Sequence, residues 1–162
     1  MSDPMTLLKA DHRDVKRILT TLADSDEGPE RAKLTKELQK ALSLHMEIEE
    51  RLLYPLVADK VGAEDEEEAE IEHGLAREGL TKVVEMVDKP GFGAAVEMLK
   101  GGITHHVEEE ESEILPELKD ALDRQEWLAL GDAIAKAKAD AGAPPPSSPR
   151  RRSAKRQPAK KK

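Results

Sequence analysis

Two segments decide how this chain folds: His45-Met46-Glu47-Ile48-Glu49-Glu50-Arg51-Leu52-Leu53-Tyr54-Pro55 and its echo His106-Val107-Glu108-Glu109-Glu110-Glu111-Ser112-Glu113-Ile114-Leu115-Pro116. In both, a His is followed by Glu at +2, +4 and +5 and by Pro at +10. A His and a Glu four residues apart project from one face of an α-helix, one turn from each other. The apolar residues around them step by three or four, the helical period rather than the alternation of a strand. Each segment thus reads as a helix carrying polar groups on its apolar stripe. A proline within such a helix should kink or end it, and here it falls the same distance past each site.

Working outward, the same period runs through most of the chain. Asp3-Pro4 reads as a helix cap with proline in the first turn. The first helix reaches about Ala23, with Leu8, His12, Val15, Leu19 and Leu22 on one face. Pro29 opens a second helix whose stripe is Leu38, Leu42, His45, Glu49, Leu52 and Leu56, and Gly62 ends it. The acids from Glu64 to Glu68 suit the positive start of a third helix, striped by Ala69, His73, Ala76, Leu80, Val83 and Val87. Asp88-Lys89-Pro90-Gly91 is a turn, and a fourth helix follows with Val96, Leu99, Ile103, His106, Glu110, Ile114 and Leu118. The pattern predicts an all-α chain, an antiparallel up-down-up-down four-helix bundle. A shorter fifth helix from Asp123 to Asp140 docks through Trp127, Leu130 and Ile134. Residues 1–141 form one domain, and residues 142–162, rich in Pro, Ser, Ala, Lys and Arg, read as a disordered basic tail.

Composition fits this reading. Of 162 residues, 37% are charged and only 2% aromatic, so the core must be aliphatic and the outer helix faces solvated. The absence of cysteine excludes disulfides, thiolate zinc sites, iron–sulfur clusters and cysteine nucleophiles. No apolar run approaches the roughly 20 residues a membrane helix needs, and the N-terminus lacks an apolar signal region. The expected compartment is the cytoplasm. The net charge of −8 divides sharply: the tail from Gly142 carries eight basic residues and no acid, leaving 18 basic against 34 acidic residues in 1–141.

Six polar groups lie where a core should be: His12, His45, Glu49, His73, His106 and Glu110. Buried polar groups need partners, and buried carboxylates need them most. Counted from the turns, His12 lies 16 residues before Gly28 and His45 17 after it; His73 lies 17 before Pro90 and His106 16 after it. At ~1.5 Å per residue, such mismatches amount to only ~1.5–3 Å, so antiparallel helices bring the six to one level. His105 faces away from the stripe. Glu47, Glu50, Glu108, Glu109 and Glu111 read as solvated, with Glu50 and Glu111 flanking the site.

Imidazoles and carboxylates without thiolates suit iron or manganese and, less selectively, zinc. One zinc needs four ligands; six ligands in two matching halves suggest two metals. Carboxylates between the halves can bridge both ions, with a shared oxo or hydroxo group and an exchangeable position on each. A ferritin-like site, with Glu from two helices and Glu-x-x-His from two others, is the structural rival. Its higher carboxylate content disfavours it here.

The set His12, His45-x-x-x-Glu49, His73 and His106-x-x-x-Glu110, with its Glu-Glu…Pro continuations, resembles the hemerythrin-like HHE cation-binding family over roughly residues 4 to 120. The resemblance implies a non-haem centre of two Fe ions, with the four His as terminal ligands and Glu49 and Glu110 as bridges. It also implies a small ligand, O2, NO or peroxide, in carriage, sensing or oxidative and nitrosative stress response. Two departures from the family's oxygen carriers stand out. Arg77 occupies the place of a second helix-three His, and the fourth-helix motif is His-x-x-x-Glu rather than His-x-x-x-x-Asp. Loss of an imidazole implies a more open, more reactive pair. Whether the protein is an enzyme is left open. The other reading is a metal-dependent sensor whose basic tail meets an anionic partner, nucleic acid or a membrane surface, without sequence preference.

Overall fold

The computed structural model describes residues 1–145; the rest of the expected tail lies outside the described residues. Among these residues the secondary structure is entirely helical. The helices are α1 (Pro4–Ala23), α2 (Pro29–Ile48), α3 (Tyr54–Lys60), α4 (Ala63–Glu85), α5 (Phe92–Glu109), α6 (Leu115–Ala121) and α7 (Arg124–Asp140). A π turn, Glu49–Leu53, joins α2 to α3, and a second, Glu110–Ile114, joins α5 to α6, so the described residues make five continuous rods.

The ends are where the sequence puts them, for identifiable reasons. Asp3 caps α1 by accepting from the Thr6 backbone N–H at 2.8 Å. Asp123 and Glu126 form a reciprocal capping box on α7. Gly91, at φ 91°, takes the left-handed turn before α5 that a side chain would resist. Helix α7 is tied to the start of the chain: Trp127 Nε1 donates to Asp3 Oδ1 at 2.8 Å, and the Ser2 N–H to Asp132 Oδ1 at 2.9 Å. At Gly131 the backbones approach so closely that a Cβ would lie 1.7 Å from the Ser2 carbonyl oxygen.

The prolines neither end nor break their helices. Pro55 has no N–H, and in an α-helix its ring would meet the Arg51 carbonyl. The preceding turn is widened instead: the Tyr54 N–H reaches back five residues to the Glu49 carbonyl, and the Leu115 N–H likewise to Glu110. Such one-residue insertions rotate everything after them. The buried residues after the first π turn are accordingly Leu53, Tyr54 and Val57, and the expected Leu52 and Leu56 are only partly buried. The same shift brings Leu115 into the core beside Ile114 and Leu118.

The core has two aliphatic clusters. One includes Val15, Leu19, Leu38, Leu42, Leu80, Val96 and Ile103. The other includes Leu8, Ile48, Leu53, Val57, Leu115, Leu118 and the anchors of α7, Trp127, Leu130 and Ile134. Along each long rod the sequence passes from one cluster to the other through a His or a His–Glu pair. A polar layer thus divides the core.

Candidate metal centre

All six expected residues are buried, at 0% exposure for Glu49 and Glu110 and at most 5% for His12, His45, His73 and His106. They converge on one place. Glu49 divides its oxygens: Oε1 lies 2.9 Å from His45 Nε2 and 3.7 Å from His12 Nε2, and Oε2 lies 3.1 Å from His73 Nε2 and 3.8 Å from His106 Nε2. Glu110 does the same, with Oε1 at 3.3 Å from His12 Nε2 and Oε2 at 3.4 Å from His106 Nε2. The π turns start at these two glutamates, so the widened backbone lies at the site itself. Two fully buried groups bring potential ligand atoms within 4.8 Å of one another, His12 with His45, Glu49 and Glu110, and Glu49 with His73 and His106; a third, Glu72 with His105 and Glu109, lies at the partly exposed margin.

The sharpest test of fit is polar satisfaction. His12 Nε2, His45 Nε2, Glu49 Oε1 and Glu110 Oε1 are buried without a hydrogen-bond partner, although they face one another. Four such atoms in one place are costly. A cation among them would satisfy all four at once, and imidazole and carboxylate are donors suited to holding a divalent metal.

Around this layer stands a ring of carboxylates that the sequence reading left in solvent or did not single out. His12 Nδ1 pairs with Glu111 at 2.7 Å, His45 Nδ1 with Asp11 at 3.3 Å, His73 Nδ1 with Glu50 at 3.0 Å and His106 Nδ1 with Glu72 at 2.5 Å. Every imidazole is held from behind, leaving Nε2 to face inward. Glu50 and Glu111 are therefore more than flanking residues. The detectable signal is the repeat: Asp11, His12, His45, Glu49, Glu50 and Pro55 recur as Glu72, His73, His106, Glu110, Glu111 and Pro116, each 61 residues on.

Two features break the two-fold pattern. Tyr54, whose counterpart is Leu115, places its hydroxyl 2.9 Å from His73 Nε2, 3.2 Å from Glu49 Oε2 and 3.3 Å from His106 Nε2. It is an additional donor on one side only, and the π turn is what rotates it inward. Arg77 stays out of the centre. Its guanidinium grips Glu50 through two bonds of 2.7 Å, and Glu50 holds His73. His105 is exposed, 3.3 Å from Glu109.

Beside the four imidazoles is a cavity of about 20 Å³, room for a water-sized molecule, with the small residues Ala76 and Gly102 in its wall.

The electrostatics follow from burial and proximity. Burial disfavours the imidazolium form, but the Glu110 and Glu49 carboxylates outweigh it and raise His12 to about 10 and His106 to about 11. His45 rises to about 9, burial again being outweighed, here by Glu49 and Asp11. Burial pushes Glu49 up, yet the surrounding imidazoles hold it well below the ordinary carboxylate range. Burial and the charges of Glu49 and Glu110 raise the Tyr54 phenol. Arg77 keeps Glu50 below its ordinary value. Raised in this way, His12, His45 and His106 favour the imidazolium form in the metal-free chain, and a metal would displace those protons.

No helix among the described residues is long and apolar enough to cross a membrane. No curated protein and no solved structure matches the chain. Residues 3–118 match the family described as the Hemerythrin HHE cation binding domain, a span from the cap of α1 through both π turns. The match covers well over half of the sequence and all six inward-facing residues. The chain belongs to the hemerythrin HHE cation-binding domain family.

Proposed function

We propose that this protein holds two non-haem iron ions between the two matching halves of its helical body. It uses them to bind or react with a small molecule, O2, NO or peroxide, in sensing or in oxidative and nitrosative stress response. In this reading the four long rods form an antiparallel up-down-up-down bundle, residues 1–141 are the working unit, and the compartment is the cytoplasm. His12 and His45 are the terminal ligands of one iron and His73 and His106 those of the other. Glu49 and Glu110 would be shared between the two ions, a role supported by each turning one oxygen to each half.

The observation that carries the proposal is the set of four buried, unpartnered, mutually facing atoms on His12, His45, Glu49 and Glu110. A diferrous pair supplies one- and two-electron chemistry toward a small diatomic or peroxide. The chain's own contributions are distinct from it. With metal bound, the outer carboxylates would hold the Nδ1 protons, leaving each Nε2 free to serve as a ligand. The two aliphatic clusters exclude bulk water from above and below. The small cavity beside Ala76 and Gly102 admits a ligand of a few atoms. Tyr54 places a hydroxyl against the His73/His106 half, so the two positions differ chemically.

Anaerobic titration of the metal-free chain with ferrous iron tests this, followed by separate exposure to O2, NO and peroxide. The expected endpoint is two irons per chain. Oxidation then yields the near-ultraviolet absorption of a bridged diferric pair, and His73→Ala abolishes it. Repeated uptake and release of O2 without oxidation would favour carriage over reaction. Failure to retain ferrous iron would remove the proposal.

A second reading, a metal-dependent sensor without turnover, draws on the basic residues from Arg150 to Lys162. Removal of residues 142–162 separates the two. An enzyme keeps its turnover, whereas a tail-dependent module keeps its metal and loses affinity for a polyanion.

A further inference from the structure

The family match ends at residue 118, yet α7, which begins at Arg124, reaches the metal layer. Its last turn carries Lys138, a lysine with 8% exposure, whereas the other lysines among the described residues lie outside the core. Lys138 Nζ is paired with Asp11 Oδ1, and the other oxygen of the same carboxylate, Oδ2, faces His45 Nδ1 at 3.3 Å. His45 in turn presents one of the unpartnered Nε2 atoms of the centre. The result is a continuous line, Lys138–Asp11–His45, from a helix outside the family's span to an inward-facing imidazole.

The other half contains the same construction. Arg77, on α4, grips Glu50, and Glu50 holds His73 Nδ1. Each half therefore has one imidazole backed by a cation-clamped carboxylate. Each also has one, His12 backed by Glu111 or His106 backed by Glu72, whose carboxylate no lysine or arginine among the described residues clamps, although exposed His105 lies 3.8 Å from Glu72. A clamped carboxylate is fixed in place and kept ionised, so it holds the Nδ1 proton and with it the direction of the opposite lone pair. The docking of α7 does not depend on Lys138, since Trp127, Leu130 and Ile134 supply the apolar contact. A lysine is expensive to bury merely for packing.

We propose that Lys138 is a positioning residue for the metal position formed by His12 and His45, acting through Asp11 on His45. Helix α7 is thereby a working part of the centre and not only a brace. This rests on the two-metal reading above, and the test is arranged so that the two fail separately.

The test compares full-length wild type, Lys138→Met and Lys138→Arg. Ferrous affinity is measured by competition with a chelator, and the imidazole nitrogen shifts of the metal-free chains by NMR. In Lys138→Met, one of two ferrous ions is expected to bind ~10–100-fold more weakly, the scale for loss of a group supporting a metal-bound His. The other ion should keep its affinity, and Lys138→Arg should restore the first. In the metal-free chains, His45 should shift in Lys138→Met while His73 does not. Two ions bound as tightly as in wild type with an unchanged His45 would overturn the proposal. So would an equal weakening of both ions with lost helicity, which marks a structural role only. If wild type binds no iron, the two-metal reading fails, and the His45 and His73 shifts still decide whether Lys138 acts on His45.

Discussion

At the scale of single residues, the centre is a problem of unmet polar demand. Glu49 and Glu110 are fully buried and accept from too few donors for their charge. Replacing either by Gln removes a bridging charge, so iron binding measured by chelator competition should fall by at least ~10-fold on the scale set for supporting groups, which are less direct than ligands. Glu50→Gln tests the supporting layer. It keeps a carbonyl for His73 Nδ1 but breaks the paired bonds to Arg77, and a weakening of ~10–100-fold is expected. Unaltered affinity in Glu50→Gln would mean that the outer carboxylates are solvated bystanders. Tyr54→Phe removes the one hydroxyl that distinguishes the halves. The optical spectrum of the loaded protein should change without loss of stoichiometry, and an identical spectrum would remove Tyr54 from the centre.

At the scale of elements, the π turns matter most. They accommodate Pro55 and Pro116 and begin on the two inward glutamates; past the first, the buried face is Leu53, Tyr54 and Val57, and past the second it is the equivalent Ile114, Leu115 and Leu118. This is also where the sequence was least legible. The helical period placed the six inward residues correctly, because each lies on an apolar stripe before or at the insertion. It missed Leu53, Tyr54 and Val57 because a three-residue step past Glu49 leads to Leu52 and Leu56, whereas four-residue steps past Glu110 lead to Ile114 and Leu118, which are buried. Proline marked the position, but nothing local distinguishes a kink from an insertion. The supporting acids Asp11 and Glu72 were hidden for another reason: they sit at the margin of the stripe in a chain dense with solvated carboxylates. Only the shared 61-residue spacing exposes them. The docking of α7 was legible from Trp127, Leu130 and Ile134, whereas its close approach to Ser2 was not. Gly131→Ala places a methyl 1.7 Å from the Ser2 carbonyl oxygen. Thermal unfolding should register a loss of about 1–3 kcal/mol as the backbones separate, and an unchanged midpoint would show that α7 is loosely held.

At the scale of the whole molecule, protons and metal compete for one layer. His12, His45 and His106, raised to about 10, 9 and 11, stabilise the metal-free fold as imidazolium ions. That contribution is complete below the ordinary imidazole value near 6.5 and is lost as pH rises through 9 to 11. Glu49, held low, contributes above its ordinary value and loses that contribution as pH falls toward its folded value. The metal-free midpoint should therefore be highest in mildly acidic solution, between the ordinary carboxylate value of 4.5 and the ordinary imidazole value of 6.5, and decline on both sides of that window. Metal displaces those protons, so loading at pH 7 should release acid, measurable in weakly buffered solution, and affinity should rise with pH. A chain that takes up iron with no proton release would contradict the imidazolium–carboxylate description.

The most direct test of the central claim, two irons held between two matching halves, is native mass spectrometry of the purified full-length chain with elemental analysis of the same sample. The account predicts a mass increment of two irons per chain, both lost in His73→Ala. A single zinc ion, or a stable chain carrying no metal after exposure to ferrous iron, would contradict it.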